Sequence, residues 1–185
     1  MFNERKVAQM AAYLLKRRGG TMSHLKLIKL LYLADREALN SYGASISGDS
    51  FFSLPNGPVL SRTLNLMAGV IESETQGWET WISDRAEHQV SLRQDFELDA
   101  LDYLSRADVD ILDSIWQQFG AMTRWQLVEY THNGNCPEWE NPNGSSAQIT
   151  HFEIFSALGK SQEDAAILAS DIEAEKSIDR LFASL

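Results

Sequence analysis

The sequence predicts a mainly α-helical fold, a single-domain bundle of about seven helices with a small inserted antiparallel β-hairpin or sheet. Apolar residues recur every three or four positions through most of the chain, which is the spacing of amphipathic helices. One stretch, residues 76–98, instead carries Trp, Ile and Val residues separated by polar ones, as strands do. The 185 residues suit one domain, 1–185, and can bury a core without disulfides or metal.

The most apolar helix is predicted from Leu25 to Tyr42. Its apolar positions cover most of the helix circumference, which is typical of the central helix in a small bundle. Ser23 is the predicted N-cap. Gly43 is the predicted end, because glycine accepts the left-handed conformation that closes a last turn.

Glycine and proline residues mark the boundaries of the elements around this helix. Residues 3–18 form a predicted first helix, which Gly19-Gly20 ends. Residues 50–54 are a predicted short strand. Two prolines at 55 and 58 then force a turn, and a third helix is predicted to begin near Pro58 or Ser61 and to run through Val70.

Residues 76–98 are predicted to form a β-hairpin, with its turn at residues 83–88. The hairpin could pair with residues 50–54 into a small antiparallel sheet, which is more stable than an isolated hairpin.

Four more helices are predicted in the second half. Ser105 with Asp108 resembles a capping pair for a helix that ends before Gly120, and the next helix begins at Thr123. A polar loop covers residues 131–148. The last two helices begin at Thr150 and, with Asp164 as capping partner, at Ser161.

Four short motifs, in order and spacing, resemble the hallmark of the SocA-like antitoxin family, whose domain is called Panacea. They are LLYLADRE at residues 30–37, Tyr42-Gly43, ISGD at 46–49 and NGPV at 56–59. A later series, Thr131-His132 and then Pro137-Glu138-Trp139, follows the same plan, so the resemblance covers nearly the whole chain. The sequence departs from the family pattern at Asn56 and Leu60.

The resemblance implies an antitoxin that binds a cognate toxin encoded by a neighbouring gene, in a bacterial or phage toxin–antitoxin system. One member of the family acts as an adaptor that delivers its toxin to a protease, so protease machinery is an alternative partner. The turn near residues 49–59 and the loop near residues 132–139 are the predicted toxin-binding segments. The candidate contacts are Asp49, Phe51, Asn56, Gly57, Pro58, Val59, Arg62, His132 and Trp139.

Trp139 is the aromatic residue that lies outside any periodic apolar stripe. A tryptophan in a polar loop can anchor an interface. It can equally pin the long loop onto the body of the domain.

The charge is uneven along the chain. The net charge is −10, made up of +5 over residues 1–66 and −15 over residues 67–185. The acidic part repels nucleic acid and favours basic partners. The basic front end leaves open a DNA-binding autoregulator. Its candidate phosphate contacts are Lys16, Arg17, Arg18, Lys26 and Lys29; a solvated helix face is the other interpretation.

The sequence offers no convincing catalytic set, cofactor site or metal site. His132 and Cys136 could form a base and a nucleophile, but no third group or oxyanion donor can be assigned. Asp35 and Asp49 could act as an acid–base pair; pairing of Asp35 with a basic neighbour or a helix end and capping of the turn by Asp49 are favoured. The chain is therefore predicted not to be an enzyme.

The single cysteine and the absence of a long apolar run indicate a cytoplasmic protein without a signal peptide or membrane span.

Overall fold

The computed structural model describes residues 1–83 and 85–183 and confirms the mainly α-helical prediction. In chain order the helices are α1 (Glu4–Arg18), α2 (His24–Tyr42), α3 (Ser61–Met67), α4 (Trp78–Trp81), α5 (Arg106–Phe119), α6 (Arg124–His132), α7 (His151–Ala157) and α8 (Gln162–Ala183). The strands are β1 (Thr21–Ser23), β2 (Phe51–Leu54), β3 (Gly57–Leu60), β4 (Gln89–Ser91) and β5 (Ala147–Ile149), and a 3-10 turn covers Leu98–Ala100.

Helix α2 is the centre of the fold and contacts α1, α5, α6 and β3. Its apolar residues are buried around the helix, as the all-round pattern predicts. Those that expose 1% or less of their surface are Leu27, Ile28, Leu30, Leu31, Ala34, Ala38 and Leu39. The helix ends at Gly43, which has a φ of 73° and donates its N–H to the Leu39 carbonyl. Ser23 occupies the predicted N-cap position, but its side chain makes no capping hydrogen bond.

Local capping signals define the starts of α5, α6, α7 and α8. Three complete capping boxes stand at Ser105–Asp108, Thr123–Gln126 and Thr150–Glu153, so each satisfies two backbone N–H groups of its helix start. The Ser161 hydroxyl accepts from the Asp164 N–H at 3.0 Å in the same way. Helix α3 begins at Ser61 as predicted, although it ends at Met67 rather than Val70.

The strands form two small antiparallel sheets. In the first, the strand order is β3-β2-β5, with Phe52 opposite Val59 on one side and Gln148 on the other. In the second, β1 pairs with β4. The predicted strand at residues 50–54 is confirmed, but its partners are β3 and β5. Its predicted pairing with residues 76–98 is wrong, and β5 occupies the end of the predicted polar loop.

The predicted hairpin over residues 76–98 is wrong in its first half, because Trp78–Trp81 forms helix α4. The reason is a distant carboxylate: Glu4 Oε1 accepts from the Trp78 N–H at 2.8 Å and from the Glu74 N–H at 3.0 Å. A charged acceptor at a helix N-terminus favours the helical turn. Beyond this turn, antiparallel bridges join Ile82 to Leu92 and Ala86 to Gln89, so the second half of the predicted hairpin is present in shortened form.

Among the residues described, no helix combines the length and the apolar content needed to cross a bilayer.

Candidate protein-binding surface

The turn between β2 and β3 is fixed in a conformation that requires glycine. Gly57 has a φ of +96°, a region that side chains rarely adopt. A Cβ atom built there would lie 2.6 Å from Thr131 Oγ1 and 2.7 Å from Lys29 Nζ. Pro55 and Asn56 form the exposed tip of this turn. The packed underside therefore fixes the position of an exposed dipeptide.

Trp139 attaches the long loop to this turn. Its indole N–H donates to the Leu54 carbonyl at 2.9 Å, and its ring stacks on His132 with centroids 4.0 Å apart and planes 14° from parallel. The indole is only partly buried. Pinning of the loop and exposure of an aromatic edge, which the sequence leaves as alternatives, occur together at this one residue.

A buried ion pair supports the loop from below. The Glu138 carboxylate is fully buried and accepts from Arg36 Nε at 2.6 Å and from the Tyr32 hydroxyl. Burial alone would lower the pKa of Arg36, but the hydrogen bond and charge of Glu138 raise it above its usual value. Sequence reasoning missed this pair, since 102 residues separate its members and no local spacing connects them.

A second buried cation lies beneath the turn. Lys29 is inaccessible, and its ammonium donates to the Pro58 carbonyl at 2.7 Å. Burial lowers its pKa to about 7. Burial also lowers the pKa of the neighbouring His132, helped by the charge of Lys29. Within the described structure, His132 Nε2 is buried without a hydrogen-bond partner.

Cys136 is not arranged as a nucleophile. It is 1% exposed, and burial, followed by the charge of Glu138, raises the pKa of its thiol to about 12. A thiol with such a pKa is protonated at neutral pH, and the thiolate is the reactive form. The interpretation of His132 and Cys136 as a base and a nucleophile therefore lacks an activated thiol.

Helix α6 extends the exposed surface from the loop to a groove. Trp125 is 58% exposed and lies seven residues before His132, two turns earlier on the same helix face. Trp125 also lines a groove of about 400 Å³, the α2–α6 groove, together with His24, Leu25, Asn56, His88 and Arg124. Asn56 thus connects the groove to the turn. We call the exposed Pro55, Asn56 and Trp125, together with the partly buried His132 and Trp139, the turn–tryptophan surface.

The other predicted contacts around the turn are mostly buried. Asp49 is 1% exposed, and its carboxylate accepts from the backbone N–H groups of Arg62 and Thr63 at 3.0 and 2.8 Å, capping the start of α3. Capping by Asp49 agrees with the favoured interpretation. The remaining buried members are Phe51, Gly57, Pro58 and Val59. These residues support the turn from inside.

Arg62 is exposed but stands apart from the turn. It follows β3 at the end opposite Asn56, about 13 Å away at 3.3 Å per strand residue. Its guanidinium lies 4.6 Å from the ring centroid of Phe2. The structure therefore brings Asn56, His132 and Trp139 together and leaves Arg62 on another part of the surface.

The Asp35 side chain also differs from the favoured interpretation. Among the described residues it pairs with neither a basic group nor a helix end; instead its carboxylate accepts from the backbone N–H groups of Ile46 and Ser47 at 2.9 and 3.0 Å and from the Ser47 hydroxyl. Burial raises its pKa to about 7. Asp35 thus fastens the connection after α2, and Asp49 fastens the start of α3.

The basic residues of the front end do not form one exposed stripe. Lys26 is buried and donates to the carbonyls of Gly120 and Met122, and Lys29 is buried beneath the turn. Lys16 pairs with Asp95 and Arg17 with Asp113, leaving Arg18 as the exposed member without a described ion pair. The predicted phosphate contacts are therefore dispersed and partly inaccessible. In the part of the chain that is described, no group of three or more His, Cys, Asp or Glu residues could hold a metal ion.

These features define a class of protein: a mainly α-helical domain with a rigid, exposed aromatic surface and no activated thiol nucleophile among its described residues. Comparison with known protein families matches residues 27–140 to the antitoxin SocA-like, Panacea domain, and the chain belongs to this family. The family resemblance of the sequence motifs is confirmed. No curated protein and no solved structure matches the chain.

Membership suggests an antitoxin role, in a family that is generally non-enzymatic, and implies a toxin as partner in general terms. The matched range covers the whole turn–tryptophan surface and ends one residue after Trp139.

Proposed function

We propose that this chain is the antitoxin of a toxin–antitoxin system. It neutralises a cognate toxin, encoded by a neighbouring gene, by direct protein–protein binding in the cytoplasm. The observation that carries the proposal is the turn–tryptophan surface, where Trp125 and Trp139 flank a turn whose conformation is fixed. Tryptophan is enriched among the residues that dominate binding energy at protein interfaces.

The rigidity of this surface favours binding. Trp139 is held by its hydrogen bond to Leu54 and by its stack on His132, and the turn is held by the Lys29–Pro58 hydrogen bond. Side chains that are already ordered lose little conformational entropy when a partner binds. A toxin that binds these rings would therefore lose little conformational entropy in ordering them.

Inhibition of the toxin by bound antitoxin is a better explanation than a reaction catalysed by this chain. Cys136 is buried with a raised pKa, and the Asp35 carboxylate is enclosed by its own hydrogen bonds. Neither group offers an accessible reactive atom to a substrate. We therefore propose that the chain is not an enzyme and inhibits the toxin stoichiometrically, by covering part of the toxin's surface.

Co-expression with the product of the neighbouring gene tests the proposal. The wild-type chain should restore growth to cells that the product arrests, and it should co-purify with that product. Trp125→Ala and Trp139→Ala should each raise the dissociation constant at least tenfold, about 1.4 kcal/mol. Asn56→Ala and Arg62→Ala test the two ends of β3 separately.

Phe182→Ala is the matched control, because Phe182 is an aromatic side chain 69% exposed near the end of α8, outside the family match. It should leave the toxin affinity unchanged. If both tryptophan variants keep the wild-type circular dichroism spectrum, affinity and rescue, the turn–tryptophan surface is not the toxin site.

A second candidate function is the proteolytic adaptor, which one observation favours. The end of α8 exposes Ile178 by 53% and Phe182 by 69%, away from the turn–tryptophan surface in the sequence, as a second binding site would require. In an adaptor, Phe182→Ala would keep toxin affinity but slow toxin degradation in cells. The toxin half-life is then measured in cells that lack the host's ATP-dependent proteases. If that half-life is unchanged, the adaptor function is excluded.

A further inference from the structure

Two helices begin at the α2–α6 groove. His24 is the first residue of α2 and Arg124 is the first residue of α6, and both line the groove. The backbone N–H groups at a helix start carry a partial positive charge. On α2 the Ser23 side chain makes no capping hydrogen bond, and the first N–H group, that of His24, donates to the His88 carbonyl at 3.0 Å. The groove therefore lies between two helix ends of the same polarity.

The side chains of the groove add to this polarity. Its charged or chargeable lining groups are Arg124 and the two histidines, and none of the described lining residues is a carboxylate. His24 and His88 stack with centroids 5.7 Å apart, and His24 Nδ1 contacts the His88 carbonyl at 2.8 Å. Arg124 thus gives the groove a positively charged side chain, whereas the chain as a whole carries a net charge of −10 with its histidines counted as neutral.

The groove also has an apolar wall. Trp125 exposes 58% of its surface, and the partly buried Leu25 lies among the lining residues. The Arg124 guanidinium lies 5.2 Å from the Trp125 ring centroid, within the range of a cation–π contact. This contact holds a cation with fixed orientation beside an open aromatic face, so that one ligand segment can meet both.

We propose that the α2–α6 groove receives an acidic segment of the partner toxin, with one or more carboxylates at Arg124 and an apolar side chain against Trp125. This inference rests on the proposed function, because it names the chemistry of the toxin segment that the same surface binds. Guanidinium groups pair with carboxylates through two parallel hydrogen bonds, which gives such a contact geometric specificity.

A protein segment fits this site better than a nucleic acid does. A nucleic acid would extend its phosphates beyond the groove over a chain that carries −15 between residues 67 and 185, and those charges repel it. Lys26 and Lys29, which would have to continue the phosphate track along α2, are buried. A short acidic segment needs only the groove itself.

The test compares two arginines in equivalent places. Arg124 and Arg106 are each the first residue of a helix that a complete capping box starts, but Arg106 is not among the described residues that line the groove. Glutamate at either position suits the positive helix end, so neither variant should unfold its helix. Circular dichroism and thermal melting verify this for both.

Affinity is measured for the purified product of the neighbouring gene. Arg124→Glu should raise the dissociation constant at least tenfold, and Arg124→Gln should raise it less and weaken its salt dependence. Arg106→Glu should stay within twofold of the wild type. Hydrogen exchange then locates the protected toxin segment, and changing its acidic residue to lysine should restore binding to Arg124→Glu.

Each other outcome is decisive. If the wild-type chain neither rescues growth nor binds the neighbouring product, the proposed function fails. If it binds and Arg124→Glu and Arg124→Gln both keep its affinity, the acidic-segment inference fails while the proposed function stands. If a 20-base-pair DNA duplex binds the wild type and Arg124→Glu abolishes that binding, the groove is a nucleic-acid site and the inference is overturned.

Discussion

Replacing Lys29 by methionine should stabilise this protein at neutral pH. Lys29 is completely buried on α2, with one described hydrogen bond, to the Pro58 carbonyl. Burial lowers its pKa from 10.5 to about 7. Methionine has a similar length and no charge to desolvate, so Lys29→Met keeps the packing and removes the desolvation penalty.

The magnitude follows from the two pKa values. Between pH 7 and pH 10.5 the unfolded chain binds more protons at Lys29 than the folded chain does, so the free energy of unfolding rises with pH. At about 1.4 kcal/mol per tenfold change in proton affinity, the penalty is roughly 4 kcal/mol at pH 7 and roughly 2 kcal/mol at pH 9. Leaving the buried Pro58 carbonyl unpaired costs about 1–3 kcal/mol at every pH. Lys29→Met should therefore be more stable by about 1–3 kcal/mol at pH 7 and nearly neutral at pH 9.

Urea unfolding followed by circular dichroism at pH 7, 8 and 9 measures this difference. The range stops at pH 9 because the raised pKa of Cys136, about 12 against 9.0, makes stability fall with pH above that point. Asp35, with a pKa of about 7, and His151, with a pKa of about 4, affect stability in opposite directions as pH changes. Both titrate at or below pH 7, the lower limit of the measured range. If the curves of variant and wild type run parallel from pH 7 to 9, Lys29 is charged in the folded protein and the reasoning fails.

Three further substitutions test the supports of the turn–tryptophan surface. Glu138→Gln should destabilise the fold by about 3 kcal/mol, since Arg36 would remain largely buried without its counter-ion; urea unfolding measures the loss. Gly57→Ala should cost at least about 2 kcal/mol, because its φ is +96° and the new Cβ would lie 2.7 Å from Lys29 Nζ; a thermal melt detects it. Thr123→Ala should lower stability by about 1 kcal/mol through the lost cap of α6, which urea unfolding resolves.

These predictions have internal controls. The double variant Arg36→Gln with Glu138→Gln should be more stable than the sum of the two single losses predicts, because no unpaired charge stays buried. Additive losses would mean that the two groups do not interact. Gly134→Ala compares with Gly57→Ala, since Gly134 has a φ of +79° but no atom within 4 Å of its Cβ position. Equal losses at the two glycines would contradict the role of the contacts around residue 57.

The parts of the fold that the sequence predicts are those with local signals. The capping pairs at Ser105 and Thr150 and the glycine after α2 lie within four residues of the groups they satisfy. The apolar pattern of α2 also predicts burial. It contains a signal that the interpretation of Lys29 as a phosphate contact overlooked. Lys29 lies between Ile28 and Leu30 on a helix that is apolar nearly all round, so a buried lysine is the consistent interpretation.

The parts that sequence reasoning missed depend on contacts between distant residues. Strand β5 pairs with β2 across almost a hundred residues, and the first N–H group of α4, that of Trp78, donates to the distant Glu4 carboxylate. Glu138 lies in a polar loop whose sequence gives no indication that Glu138 pairs with Arg36. Periodicity and capping report only on neighbours in the chain, so such partners become visible when the fold brings them together.

The division between buried and exposed residues bears on the proposed function, because it separates the residues that hold the turn from those that a toxin could contact. Gly57 is fixed by its backbone conformation and Asp49 by its cap on α3, so any protein with this turn needs them whatever it binds. Asn56 and Trp125 have no such requirement, since each is exposed, and neither supports the buried turn. The same scaffold could therefore change its partner by changing exposed residues alone. Replacing Asn56 and Trp125 by other residues should alter toxin preference with little loss of stability. Replacing Gly57 should instead destabilise the fold.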